Sequence, residues 1–114
     1  MLLGRVIGTV WATRKDEKLE GMRLMIVEAT DLAGKPLGGF VIAVDAVQAG
    51  AGELVLVAQG SSARQTTLTT GKPVDAVIMA IVENLEVVPA KELDASFRSR
   101  REAIDARLAR QPEL

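Results

Sequence analysis

The chain has 114 residues, 48% apolar and 25% charged, with a net charge of −1 and neither cysteine nor histidine. This describes one domain with a modest core. It excludes a disulfide framework, a thiol nucleophile and the usual histidine as zinc ligand or general base, and it fits a reducing compartment.

No run reaches the roughly 18 apolar residues that a membrane span needs. No signal peptide is expected before Leu2. The near-neutral charge gives no reason to expect nucleic-acid binding.

Residues 2–13 read as a first strand, with Val6, Gly8, Val10 and Ala12 on one face and Leu3, Arg5, Ile7, Thr9 and Trp11 on the other. Gly4 and Gly8 inside it signal curvature or close backbone approach. The charged segment 14–21 is an exposed loop. A second strand is expected over 22–29, apolar on both faces. The segment 30–39, with Asp31, Gly34, Pro36 and Gly38-Gly39, is a hairpin-turn signal. Third and fourth strands are expected over 40–47 and 53–59. Two small-residue loops flank the fourth, Gly50-Ala51-Gly52 before it and Gly60-Ser61-Ser62-Ala63-Arg64 after it.

The polar, Thr-rich segment 61–71 reads as loop, and 72–75 as one helical turn because proline suits a first helical position. Periodicity leaves 77–88 open between helix and strand, but its β-branched residues favour a fifth strand. Short strands separated by Gly/Pro turns imply a small closed or nearly closed β-barrel. From Lys91 onward the chain is rich in Ala, Arg, Glu and Leu and has no glycine. The spacing of Leu93, Phe97, Ile104 and Leu108 predicts an amphipathic α-helix with one apolar stripe. The expected division is thus a barrel domain, 1–88, and a C-terminal helical extension, 89–114.

The loops carry little chemistry. Gly50-Ala51-Gly52 begins like a dinucleotide fingerprint, but Val55 replaces the third glycine and a strand follows. Gly60-Ser61-Ser62-Ala63-Arg64 could cradle an anion through backbone N–H groups and the guanidinium, yet lacks the lysine and helix of a P-loop. An interface or structural loop is the stronger reading. Ser61, Ser62 and Thr66 have no histidine to activate them, so no catalytic residue is expected. Asp45, Glu53 and Asp75 lack spacing for acid–base or metal work, and read as turn caps or partners for Arg64. No metal or cofactor is implied. The Arg-rich helix carries interspersed acids, which favours a solvated face over an RNA or membrane surface.

The opening Met1-Leu2-Leu3-Gly4-Arg5-Val6-Ile7-Gly8-Thr9-Val10, with Ala12-Thr13-Arg14-Lys15, resembles the vertex proteins of bacterial microcompartments, the EutN/CcmL family. Further ordered matches are Leu19-Glu20-Gly21, Val44-Asp45, Gly50-Ala51-Gly52-Glu53, Gly60-Ser61-Ser62-Ala63-Arg64, Pro73-Val74-Asp75-Ala76 and Ile81-Val82. They span about residues 1–88; no single piece is diagnostic, but the ordered set is specific.

The resemblance implies a mainly β fold, a small five-stranded OB-like β-barrel, here with a C-terminal α-helix. It also implies a cyclic homopentamer that closes the five-fold vertices of a polyhedral shell tiled by hexameric shell proteins, in the bacterial cytoplasm. Such shells, of which the carboxysome is one kind, enclose enzymes and retain volatile or toxic intermediates, and a narrow pore lies on the five-fold axis. The role is structural, not enzymatic. Residues Ala49, Gly50, Ala51, Gly52 and Glu53, with Gly60, Ser61, Ser62, Ala63 and Arg64, are then the expected convergence zone of five subunits. Asp45, Glu53 and Asp75 are the expected charged partners of Arg64 at the subunit boundary.

The stripe Leu93, Phe97, Ile104 and Leu108 is expected to pack on an adjacent subunit, with binding of encapsulated enzymes or packing on its own barrel as alternatives. Two other classes stand beside the shell reading: an OB-like binding module for a nucleic acid or small ligand, and a small enzyme without histidine. A nucleic-acid binder should interleave basic residues with stacking aromatics, and this chain has only Trp11, Phe40 and Phe97.

Overall fold

The computed structural model describes residues 1–88 together with residues 92, 98–100, 102, 103 and 106. Five strands, β1 (Leu2–Val10), β2 (Leu24–Thr30), β3 (Pro36–Asp45), β4 (Leu54–Gln59) and β5 (Ala76–Ile81), close into a barrel in the order β1-β2-β3-β5-β4. Neighbours are antiparallel except β3 and β5, which run parallel through Val44–Val77 and Asp45–Ile78. This is the expected five-stranded OB-like barrel. The closure is thinnest between β3 and β5, which pair only at these two positions, so residues 36–43 of β3 have a strand partner on the β2 side alone.

β-branched residues make these strands because they pack well on a pleated surface. Val6, Met25, Val27, Ala43, Val55, Val57 and Ile78 fill the interior. The filling is wholly aliphatic, so the barrel is narrow. Gly4 shows how narrow: a Cβ there would stand 2.5 Å from Val27 Cγ1 and 2.7 Å from the Glu28 carbonyl oxygen.

A second cluster lies outside the barrel wall. Val44, Ala58 and Val77 point away from the interior and are covered by Met22 and Ala63, flanked by Leu19, Leu24 and Val74. The loops 17–22 and 60–74 thus cap one part of the outer surface, which explains why these strands are apolar on both faces.

The structure shifts several expected boundaries. β1 pairs Val6 with Val27 but Gly8 with Ile26, so Ile7 is an extra residue in a β-bulge. A bulge breaks strict alternation. Beyond it Thr9 lies opposite buried Met25 and shares the inner face with Val6, whereas Gly8 and Val10 move outward. The expected grouping of Val6, Gly8 and Val10 on one face is therefore wrong.

The turn between β2 and β3 is confined to residues 31–35, where Asp31 Oδ1 accepts from the N–H groups of Ala33 and Lys35, both at 2.9 Å, and Gly34 takes φ +82°. Gly38 and Gly39 consequently sit inside β3. Segment 72–75 forms no helical turn, and β5 ends at Ile81, with one last ladder bond from the Val82 N–H to the Leu54 carbonyl at 2.8 Å, so β5 is shorter than expected. Short 3-10 turns occupy Glu17–Leu19 and Gly60–Arg64.

Among the described residues, two outer flanks of the barrel remain uncovered. On β1, β4 and β5, the register places Leu3, Leu56 and Ala80 side by side, facing outward and half-buried. On β2 and β3, Ile26 pairs with Ile42 and Glu28 with Phe40, a residue that is 66% exposed. Trp11, just past β1, is 90% exposed. Residues 92, 98–100, 102, 103 and 106 are helical, as the C-terminal pattern predicts. The stripe Leu93, Phe97, Ile104 and Leu108 lies outside the described residues.

Candidate subunit-interface loops

The loop before β4 is held from within. Asp45 ends β3 with its carboxylate buried, and Oδ1 accepts from the N–H groups of Val47 and Ala49, both at 3.1 Å. Its Oδ2 accepts from Arg23 Nη1 at 3.2 Å, and Arg23 reaches on to the Ala49 carbonyl at 3.4 Å. This fold-back places exposed Gln48 at φ +59°, the one non-glycine residue with positive φ among those described.

Glu53 closes the next turn: its carboxylate accepts from the Gly50 N–H, and its own N–H donates to the Gly50 carbonyl at 3.2 Å. Gly52 takes φ +86°, a conformation that side chains other than glycine resist. The turn is then sewn to β1. Gly52 N–H donates to the Val6 carbonyl at 2.8 Å, Val6 N–H to the Glu53 carbonyl at 3.0 Å, and Arg5 Nη1 to the Gly52 carbonyl at 2.8 Å. Of the expected small residues here, Ala49 is buried, Gly50 is half-buried, and Ala51 and Gly52 are exposed.

The loop after β4 is a 3-10 turn with one buried plug. Ala63 is fully buried against Ala58 and Val77, while Ser61, Ser62 and Arg64 face solvent. Gly60 N–H donates to the Asp75 carbonyl at 2.7 Å. Thr69, also fully buried, donates its hydroxyl to the Ala63 carbonyl and shares a hydrogen bond with the Thr66 hydroxyl. Thr66 therefore braces the loop.

Arg64 Nη1 donates to the Val74 carbonyl at 3.2 Å. Within the subunit it contacts none of its three expected acidic partners. Arg23–Asp45 is the one ion pair among the described residues. Glu53 serves its own turn, and Asp75 is exposed beside Val74. Asp45 and Glu53 are thus turn caps, one of the two readings that the sequence left open.

Sequence reasoning missed Arg5 and Arg23. Both sit on or next to strands opposite the loops they hold, and only the strand register brings them there.

The two loops present backbone and small side chains without any convergence of nucleophile, base and acid. Among the described residues, no group of three or more Asp or Glu could hold a metal ion. An open groove of about 680 Å³ lies between Arg5, Gly34, Glu53 and residues 82–85.

A small closed barrel with self-capped turns and exposed apolar flanks offers surface for contact with another chain rather than a pocket of convergent reactive groups. Residues 1–83 match the family described as ethanolamine utilisation protein EutN/carboxysome, and the chain belongs to that EutN/CcmL family. It is similar to the bacterial microcompartment shell vertex protein GrpN of Rhodospirillum rubrum, with 44% identity over 88 residues, covering 77% of this chain and 99% of GrpN. The solved GrpN structure, described as a pentameric microcompartment shell protein, is 43% identical, superposes with a TM-score of 0.71 and covers 77% of this chain and all of GrpN.

The carboxysome shell vertex protein CcmL of Gloeobacter violaceus is 39% identical over 87 residues, covering 76% of this chain and 87% of CcmL. Its structure gives a TM-score of 0.73 at 39% identity, over 76% of this chain and 90% of that one. MSM0273, a pentameric shell protein from the RMM microcompartment, gives 0.65 at 35% identity, covering 79% of this chain and 100% of that one.

Proposed function

We propose that this chain is a structural vertex protein of a bacterial microcompartment shell in the cytoplasm, closing its five-fold corners as a homopentamer. The observation that carries this is the match to GrpN over 99% of that protein's length, with the same barrel in a structure described as pentameric. The family's relatives are named as shell components, and the role is mechanical.

In this reading the loops 49–53 and 60–64 lie where subunits converge, because small residues let backbones approach closely. Arg64 reaches the neighbouring subunit, with exposed Asp75 as its partner, since Asp45 and Glu53 are engaged inside their own turns. Hexameric shell proteins border the pentamer. Residues 89–114 form a separate helical extension whose stripe packs on an adjacent subunit or meets encapsulated enzymes.

Light scattering tests the reading directly. The expected mass is five times 12.1 kDa. A stable monomer or dimer, after cross-linking has excluded a ring that dissociates on dilution, refutes it. A chain ending at Val88 separates the extension's roles. Unchanged pentamer mass and melting temperature would show that the extension is not an interface element.

A further inference from the structure

We propose that the two uncovered apolar flanks of the barrel are the two halves of one head-to-tail contact: the β1–β4–β5 flank of each copy packs on the β2–β3 flank of the next. The inference rests on the pentamer reading and goes beyond it by assigning the walls of the ring. A cyclic ring of identical subunits needs two different surfaces on each subunit, complementary to one another, whereas a two-fold dimer needs only one self-complementary patch. This barrel carries two.

The first wall is shallow and branched. Leu3, Leu56 and Ala80 stand in register across β1, β4 and β5, with half-buried Leu54 beside them and Met79 39% exposed at a bulge in β5. The second wall projects. The Ile26–Ile42 pair forms its floor and Phe40 stands out from it, 66% exposed. None of these eight side chains carries a charge, which is the composition of the buried centre of an interface. Phe and Met are among the residue types enriched at interfaces over the rest of a protein surface, and each wall carries one of them.

The walls are separate patches. On one side Arg5 and Glu28, opposite one another on β1 and β2, place a charged strip between them. On the other, the Gly60–Arg64 turn covers Val44, Ala58 and Val77. A second copy is the fitting occupant because each wall supplies what the other lacks.

The natural absence of cysteine makes the test clean. Phe40→Cys and Leu56→Cys keep each wall uncharged and introduce the only thiols, which a short bis-maleimide can bridge. The Phe40→Cys/Leu56→Cys double variant is expected to give a covalent ladder ending at five. Each single variant alone should give no covalent dimer, and a mixture of the two should stop at dimers. Phe40→Arg and Leu56→Arg should each lower the mass at a concentration where the parent chain is pentameric, with unchanged far-UV circular dichroism.

A parent chain that is not pentameric refutes the ring itself. A pentameric parent overturns this pairing of walls if the double variant gives no ladder, if either single variant cross-links to itself, or if either arginine variant stays pentameric.

Discussion

Inside the barrel, alternate residues of every strand are sealed: Val27, Val55, Val57 and Ile78 are fully buried. On the outside of the same strands, their immediate neighbours Leu56 and Ile26 are only half-covered and Phe40 is largely bare. Because side chains alternate faces along a strand, one set of positions fills the barrel, while the interleaved set is sealed by the chain's own loops at Val44, Ala58 and Val77 and left at the surface at Leu56, Ile26 and Phe40.

Substitutions should separate the two sets, with interior changes lowering stability and exterior ones lowering mass. Unfolding free energies are best compared by urea titration at one fixed subunit concentration, because association adds to the apparent stability of an oligomer.

The largest expected loss is from Asp45→Ala, about 2–4 kcal/mol, because the buried carboxylate satisfies two backbone N–H groups and Arg23. Asp45→Asn keeps an acceptor at Oδ1 and should lose less; equal losses would show that the charge matters and the capping does not. Gly4→Ala should cost about 1–3 kcal/mol by overpacking against the Glu28 backbone. A neutral result would mean that β1 and β2 can part there.

Thr69→Val keeps the shape and removes the hydroxyl that serves the Ala63 carbonyl, for a loss of about 1–2 kcal/mol. Smallest is Gln48→Gly, expected to gain a few tenths to about 1 kcal/mol by relieving the left-handed backbone. On the parent background Arg64→Ala should lower pentamer mass while leaving the barrel's circular dichroism unchanged, since within the subunit Arg64 makes one exposed hydrogen bond. Equal loss of both would make Arg64 a support of the barrel.

The barrel was legible in the sequence wherever β-branched runs stood between Gly, Pro or Asp turns, and the loops on either side of β4 were placed correctly. The bulge at Ile7 was not, because an extra residue leaves composition unchanged while reversing every face beyond it. Gly38 and Gly39 read as turn, although Asp31 and Gly34 already complete the hairpin and leave them to the strand. For the loops, Glu53 as a cap is local, three residues from the N–H that it receives. Arg23 on Asp45 and Arg5 on Gly52 are long-range, fixed by which strands pair and in what register, and no short window of sequence carries that.

The position of β5 has a consequence for how the molecule forms. It is the last strand among the described residues, yet it sits between β3 and β4, parallel to one and antiparallel to the other. It is the keystone of the wall: β1, β2 and β3 can pair as they emerge and β4 can join β1, but an open slot persists until β5 is inserted. Closing that slot demands contacts between distant parts of the chain, which places folding toward the slow, millisecond-to-second end for small domains. Until it closes, the facing edges of β3 and β4 are bare and can capture a strand from another chain. A chain that meets other copies of itself before β5 is in place therefore depends on how promptly that strand is drawn in.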